Sequence, residues 1–494
     1  VGAILALAIA FRFATIEGKS FWFDEAYSAQ LASKSVPDLL TLVRVEDTHP
    51  PLYYLLLSVW GRIFGTGDTA IRSLSAVASI FAVAGTWWIG RRLGGPAVGA
   101  LAAFLTAVAP FQIFAAQEAR MYALLGLFTL LSWSALLLAT DGRRGAWSAY
   151  VIITTFALYT HYFALLNLVG HGIYVLAVAR PHWRTWLLSQ LAVGVLYAPW
   201  LPSLLSTYNS GRGWPFIRPP LGLETVTQFL VLLSIGGHAF GLHGWFGAGS
   251  ASIAKQATIV IPFVALAVLG AVAAKKDARA VWFLVAYLLV PVAVAYAFSV
   301  RHNIFYARYF SFVFPPYAIL SAFGILAVAG WLPGHLRRAT VLTWALVLLL
   351  VFSQALHEAY ANPAFDMFNW RRAAGIITAE AGPTDLVAIT PSFGNVPFSR
   401  YFHGPQRVVP MAPYEFTDPS GQGRVLAPAA PKITARAEFQ AFAKDHEVLW
   451  LVLTIPFTRA AFGRLSNVFA GIYDARMVED LRGIIIFKMI RHSP

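Results

Sequence analysis

Apolar runs separated by short basic turns fill the chain from Val1 to about position 357. A helix that crosses a bilayer needs about 20 mostly apolar residues. The runs at 1–14, 70–90, 97–115, 121–140, 147–164, 165–179, 185–205, 256–274, 280–299, 310–331 and 339–357 are predicted as spans, eleven in all. The turns carry Arg91–Arg92, Arg143–Arg144, Arg180 with Arg184, Lys275–Lys276 with Arg279, and Arg337–Arg338. If all five are cytoplasmic, the positive-inside rule orients every span without conflict. The N-terminus is then inside and the C-terminus outside. The stretch 223–247, LETVTQFLVLLSIGGHAFGLHGWFG, is rich in Gly and His and is predicted to lie at the outer interface or to dip in.

Two segments break the pattern. The first outer loop, about 17–69, is too long for a connector and holds two helical signals, FWFDEAYSAQLAS and HPPLYYLLLSVWGRIFG. The second is short for a span after Pro50–Pro51 and suits a helix lying along the interface. The tail, about 363–494, alternates helix-like WRRAAGIITAEAG and ARAEFQAFAKDH with strand-like DLVAIT, EVLWLVL and GIIIFKMI. That alternation predicts a small α/β domain outside the membrane. The expected architecture is an all-α polytopic membrane module over 1–360 and an extracytoplasmic α/β domain over 363–494.

Composition agrees. Of 494 residues 58% are hydrophobic and 12% charged, with a mean hydropathy of +0.63. Soluble domains run near 25% charged, so an ordinary soluble enzyme is excluded. Cysteine is absent, which removes disulfides, thiol nucleophiles and cysteine-ligated metals. The net charge of +14 is accounted for by the basic turns, so the expected environment is a lipid bilayer and not nucleic acid.

Carboxylates are scarce and therefore informative. Twelve of the 23 lie at or after Glu358, which leaves 11 before it, and six of those 11 fall between positions 17 and 47. Asp141 and Asp277 sit in basic turns and read as solvated loop residues. Glu118 stands in a long apolar stretch, where an acid is costly and points to function. Asp24 and Glu25 occupy an aromatic helix of the first loop, where helix capping by Asp24 is the plain alternative. His49 precedes two prolines, where a lone histidine is usually a turn residue. Glu118 and Arg120 make either a structural ion pair or part of a site. Arg301 and Arg308–Tyr309 precede Pro315–Pro316, where arginine also snorkels. His161 ends a span in an aromatic belt. The basic turns alone put Asp24, Glu25, His49, Glu118, His161, Arg301 and Arg308 at one membrane face. Together they supply acids for general base work and cations to hold a phosphate, and the 16 Trp and 19 Tyr offer stacking surfaces for a sugar.

The ordered motifs DEAYSAQ, HPPLYYLLLSVWGRIFG, AIRSLSA, QEARMYAL, YTHYFALL and ARYFSFVFPPYAIL resemble the polyprenyl-phosphate-sugar-dependent glycosyltransferases. These are the GT-C fold relatives of protein O-mannosyltransferases and of the lipid A aminoarabinose transferase (glycosyltransferase family 39-like). The resemblance covers about 1–360, and NWRRAAGIITAEAGPTDLVAI is similar to the outer domain of bacterial members. It implies transfer of a sugar from a polyprenyl phosphate to a hydroxyl of a protein, lipid or cell-envelope glycan, with inversion, outside a bacterial-type cytoplasmic membrane. It further implies that Asp24 is the general base, that His49 and Arg308 face the donor phosphate, and that Glu118 supports catalysis. Glu25, Arg120, His161, Arg301 and Tyr309 are then expected among the substrate-binding residues. The lysine that some members carry before the two prolines is His49 here, so phosphate contact there depends on pH or on neutral hydrogen bonds. No ligand set marks a metal site, and a divalent cation is left open. A transporter or lipid flippase is the alternative class. Transporters place their charges near the midplane of broken helices, often within inverted repeats; here they gather at one face and no repeat is visible.

Overall fold

The computed structural model describes residues 1–209, 221–236, 253–361, 368–411, 446–454, 471–481 and 483–492. They divide into two compact units. The described residues among 1–16 and 35–361 form a helical unit, and those among 17–34 and 368–492 form the second. The first-loop segment that carries Asp24 and Glu25 thus groups with the tail.

In chain order the helical unit contains α1 (Gly2–Phe13), whereas α2 (Phe23–Ala32) belongs to the other unit. There follow α3 (Val36–Val45), α4 (Leu52–Phe64), α5 (Asp68–Val108), α6 (Pro110–Ala116), α7 (Tyr122–Thr140), α8 (Ala146–Thr160) and α9 (Ala164–Val178). Next come α10 (Trp183–Tyr197), α11 (Leu201–Asn209), α12 (Leu223–Ile235), α13 (Ile253–Ala274), α14 (Ala278–Ser299), α15 (Phe314–Gly330) and α16 (Gly334–Ala361). Among the described residues six helical stretches are long and apolar enough to cross a bilayer, and others such as α1, α8 and α9 are shorter apolar helices. Each predicted span has a helical counterpart. The stretch predicted over 223–247 is helical as α12, and its part beyond position 236 lies outside the described residues.

The runs at 70–90 and 97–115 are the two arms of α5, which breaks at Gly95 with φ 86° just before Pro96. Glycine alone tolerates that backbone without strain. Ala109 is extended, as a residue before proline prefers, and Pro110 starts α6. The crossing of α13 and α15 needs glycine for another reason. A Cβ on Gly270 would stand 1.8 Å from the Leu320 carbonyl oxygen, and one on Gly324 2.0 Å from that of Leu266. Small residues let membrane helices approach backbone to backbone.

Two polar joints close the unit. Arg12 is fully buried on α1; it donates to Ser79 Oγ at 2.9 Å, to the Ala107 carbonyl at 2.8 Å and to the Thr106 carbonyl at 3.1 Å. A guanidinium thus satisfies the carbonyls that the C-terminus of α5 leaves open. At the other end of α7, Asp141 pairs with both Arg92 and Arg279. It is a tie between three basic turns and not the solvated loop residue expected from the sequence. Burial pushes its carboxyl up, but the hydrogen bonds and charges of the two arginines outweigh this and hold it below its ordinary value. Asp277 likewise does a job, accepting the Arg279 and Ala280 amides as the N-cap of α14.

The first loop holds a helix beyond the two expected. Ser35 accepts the Asp38 amide, Pro37 sits in the first turn, and α3 follows. This cap and proline at N1/N2 are a recognised start signal. For α2 the N-cap position is Trp22, so Asp24 lies second in the helix and is not the cap. Asp24 is partly exposed while Glu25 is buried, as neighbouring helical positions about 100° apart allow.

The second unit contains a five-stranded sheet ordered β2-β1-β3-β5-β4. Its strands are β1 (Leu386–Thr390), β2 (Arg407–Pro410), β3 (Val448–Thr454), β4 (Tyr473–Asp480) and β5 (Ile484–Arg491), with helices α17 (Trp370–Glu380) and α18 (Asn395–Tyr401). Strands β2, β1 and β3 are parallel, and β5 and β4 add antiparallel. β1, β3 and β5 are the three apolar runs read from the sequence; β2 and β4 had no such run. Successive side chains alternate faces. Val387, Ile389, Trp450 and Val452 pack with Trp370, Ala373 and Ile377 of α17, and Leu386, Ala388, Leu449, Leu451 and Met489 cluster together separately. The helix expected over 435–446 lies outside the described residues but for its last position.

Candidate active site

The site end of the helical unit is built from three turns. The first is Asp47-Thr48-His49, ahead of the two prolines that start α4. Asp47 Oδ1 accepts both the His49 amide at 2.9 Å and the ring Nδ1 at 2.8 Å. The carboxylate therefore fixes the ring with its Nδ1 protonated. Burial pushes the Asp47 carboxyl up. The hydrogen bond and charge of His49, the charge of Arg120 and a hydrogen bond from Tyr54 outweigh that, and the net shift is downward. Asp47 is ionised at neutral pH.

The second turn, 117–121, joins α6 to α7. Gln117 Nε2 donates to the carbonyls of Phe11 and Arg12, both at 3.1 Å, and Tyr360 donates to its Oε1. These bonds tie the turn to α1 and to the end of α16. Glu118 follows, partly exposed, and Arg120 is buried. The Arg120 guanidinium donates to Tyr54 at 3.2 Å and reaches within 3.4 Å of His49 Nδ1. Arg120 thus links the first two turns.

The third turn is the 3-10 segment Ala307–Val313 that leads into α15. Gln112 Nε2 donates to the Ser311 carbonyl at 2.9 Å and pins it to α6. Arg308 is buried, and its guanidinium carbon lies 5.2 Å from the Tyr122 ring centre, 5.1 Å from Tyr306 and 5.8 Å from Tyr309. A cation over an aromatic face gains about 0.5–2 kcal/mol. Tyr122 and Tyr309 stack at 5.6 Å.

His161, extended at the end of α8, sits between these turns. Its ring centre is 5.3 Å from His49 and 5.2 Å from Tyr309. Nδ1 accepts the Phe163 amide at 3.0 Å, so the proton of a neutral ring is on Nε2. That Nε2 is buried and has no hydrogen-bond partner among the described residues. A buried N–H donor is costly unless something accepts from it, and a phosphate or sugar oxygen is suited to do so.

The structure therefore brings His49, Arg120, His161, Arg308 and Tyr309 together, with Glu118 in the same turn as Arg120. Arg301 is different. It is exposed at the end of α14, and no described contact joins it to this group. Asp24 and Glu25 belong to the second unit. Among the described residues no three His, Asp or Glu side chains gather as metal ligands would.

Residues 48–204 match the family model described as dolichyl-phosphate-mannose-protein mannosyltransferase. The family resemblance of the motifs is met. No curated protein matches the chain. Among solved structures, the chain is similar to the glycosyltransferase ArnT from Cupriavidus metallidurans in its apo state, with 15% identity and a TM-score of 0.65 over 99% of this chain and 97% of that one. ArnT bound to undecaprenyl phosphate aligns with 16% identity and a TM-score of 0.63, over the same shares of the two chains. The oligosaccharyltransferase of Archaeoglobus fulgidus aligns with 12% identity and a TM-score of 0.54, over 98% of this chain and 72% of that one. At such identities the likeness is one of fold, the GT-C fold of membrane glycosyltransferases.

Within this GT-C fold the sequence reading passed over Asp47, Tyr54 and Tyr122. Asp47 could have been found from its spacing, two residues before His49, which allows an Asx-type turn. Tyr54 and Tyr122 carry no such signal, because an aromatic residue at the outer end of a membrane helix is commonplace.

Proposed function

We propose that this protein is an integral membrane glycosyltransferase that moves a sugar from a polyprenyl-phosphate donor to an acceptor hydroxyl at the extracytoplasmic face, by single displacement with inversion. The eleven spans and the outward orientation of residues 363–494 belong to the same reading, as does the placement of the five basic turns in the cytoplasm. The observation that carries it is the group of Arg308, Arg120, His49 and His161 among Tyr122, Tyr306 and Tyr309. Cations and N–H donors suit the phosphodiester anion of the donor and the phosphate monoester that leaves, and aromatic faces suit a pyranose or furanose ring. ArnT, similar in fold, has been solved with undecaprenyl phosphate, which supports a polyprenyl phosphate as the donor's lipid.

In the reaction the acceptor oxygen attacks the anomeric carbon from the face opposite the phosphate. The new C–O bond forms as the anomeric C–O bond to phosphate breaks, and the polyprenyl phosphate leaves with that electron pair. Asp24 takes the hydroxyl proton. Arg308, Arg120 and His49 hold the leaving phosphate, with His161 Nε2–H as a further donor. Glu118 supports this group from the turn it shares with Arg120.

The test is transfer from a labelled polyprenyl-phosphate sugar by the purified protein. Charge-assisted bonds to a phosphate contribute about 1.5–3 kcal/mol, or about 10- to 150-fold. Arg308→Ala is expected to raise the apparent donor KM by that factor. Unchanged kinetics in a folded variant would reduce Arg308 to a membrane-interface arginine, and no transfer by the wild-type protein would favour a transporter.

A further inference from the structure

We infer that the C-terminal unit positions the catalytic base, by gripping Ser20, Phe21 and Phe23 where the chain enters α2. This inference rests on the reading of Asp24 as the base and adds the residues that hold it in place. Ser20 Oγ donates to the Phe368 carbonyl at 2.9 Å and accepts the Trp370 amide at 3.0 Å. The Phe21 amide donates to the Tyr401 hydroxyl at 2.7 Å. The Arg400 guanidinium lies 4.3 Å from the centre of the Phe21 ring, which is fully buried. Phe23 meets Phe393 edge to face at 5.3 Å. Two faces of one short segment are thus held by the start of α17 and the end of α18.

The grip lies where it controls Asp24. The N-cap residue of α2, Trp22, makes no side-chain cap, so the helix start is not fixed by a cap of its own. The Phe21 amide held by Tyr401 stands three residues before the carboxylate. Phe368, whose carbonyl receives Ser20, has a φ of 63°, a left-handed conformation that is an outlier for a bulky side chain. Strain of this kind persists only where its surroundings hold it, and here it coincides with the docking point of the Asp24 segment. The Arg371 guanidinium lies 5.3 Å from the centre of the Tyr401 ring. Tyr401, Arg400 and Ser20 are therefore positioning residues. They act on the angle at which the carboxylate meets the acceptor hydroxyl, and a misplacement of about 1 Å costs a reaction about 100-fold.

The experiment compares Tyr401→Phe, which removes one hydroxyl, and Ser20→Ala in the full-length purified protein. Each is expected to lower kcat about 10-fold with donor KM and thermal midpoint near wild type, and the two together to lower it about 100-fold. In an Asp24→Asn background Tyr401→Phe is expected to cost nothing more, because there is no base left to misplace. Unchanged kcat in both single variants would overturn the inference. So would a parallel change of kcat, donor KM and thermal midpoint, or a further full loss in the Asp24→Asn background, since each marks a merely structural contact. Near-wild-type turnover of Asp24→Asn itself is a separate outcome: it would remove the base, and with it the premise.

Discussion

The two ends of α7 use the same residue types for different purposes. At the Thr140 end Asp141 is clasped by Arg92 and Arg279, a carboxylate between two guanidiniums that draws basic turns together. At the Tyr122 end the Asp47 carboxylate fixes a histidine ring, and the buried Arg308 lies among three tyrosine faces. The helix has 19 residues, so about 28 Å separates the two ends. One end is a strut. The other offers positive charge and N–H donors beside aromatic planes, which is what binding of a phosphorylated sugar requires. A charged cluster in a membrane protein thus marks a site when it retains donors aimed inward, such as His161 Nε2, and a joint when its charges are mutually satisfied.

The largest effect is expected from the acceptor side of the reaction. A positioned base contributes about 100- to 10,000-fold. Asp24→Asn, which keeps size and loses basicity, should lower kcat by that range and leave donor KM within a few-fold. Glu25→Gln should be milder, because its side chain is buried on another face of α2. Single-turnover kinetics with labelled donor separates chemistry from binding in both variants.

A smaller effect is expected at Asp47. Asp47→Asn keeps an acceptor for His49 but removes the charge beside it, a loss of about 1 kcal/mol, or about fivefold in donor KM. Turnover at saturating donor should stay near wild type. A fall in kcat with unchanged KM would move His49 from phosphate binding to proton transfer.

The smallest effect belongs to the strut. Exposed or half-exposed ion pairs contribute about 0.2–1 kcal/mol, so Asp141→Asn should lower the thermal midpoint slightly and leave kcat and KM alone. Its pH dependence has a definite sign. The folded-state carboxyl is held below its ordinary value of 3.8, so its contribution is fully present above that pH and is lost as pH falls through the lowered value. Thermal melts between pH 6 and pH 3 should show wild type and Asp141→Asn converging at the acid end. A constant gap across that range would mean that the charge of Asp141 does not matter.

Much of this was legible in the sequence, for physical reasons. A bilayer imposes long apolar runs, and basic turns mark their ends, so every predicted span met a helix; the side chains of three distant turns came together in one cluster. The strands at 386–390, 448–454 and 484–491 were legible because they are buried and apolar; β4, whose side chains are largely exposed, was not. Arg12 was missed because an arginine near the end of an apolar run reads as a snorkelling residue, and only helix packing reveals the carbonyls it caps. The grouping of residues 17–34 with the tail was also illegible. The contacts from Ser20 and Phe21 to Phe368 and Tyr401 join positions 348 and 380 residues apart, and no local pattern announces such a pairing. Arg301 teaches the reverse lesson. The topology expected from the basic turns would put it at the same face, yet it stands on an exposed turn without a described contact to the cluster.

The most direct measurement of the central claim is equilibrium binding of a labelled polyprenyl phosphate to the purified protein, comparing a variant at each end of α7. Wild type and Asp141→Asn should bind with equal affinity, while Arg308→Ala should lose about 10- to 150-fold. Equal binding by Arg308→Ala and wild type, or an equal loss in both variants, would contradict the assignment of the Tyr122 end as the donor site.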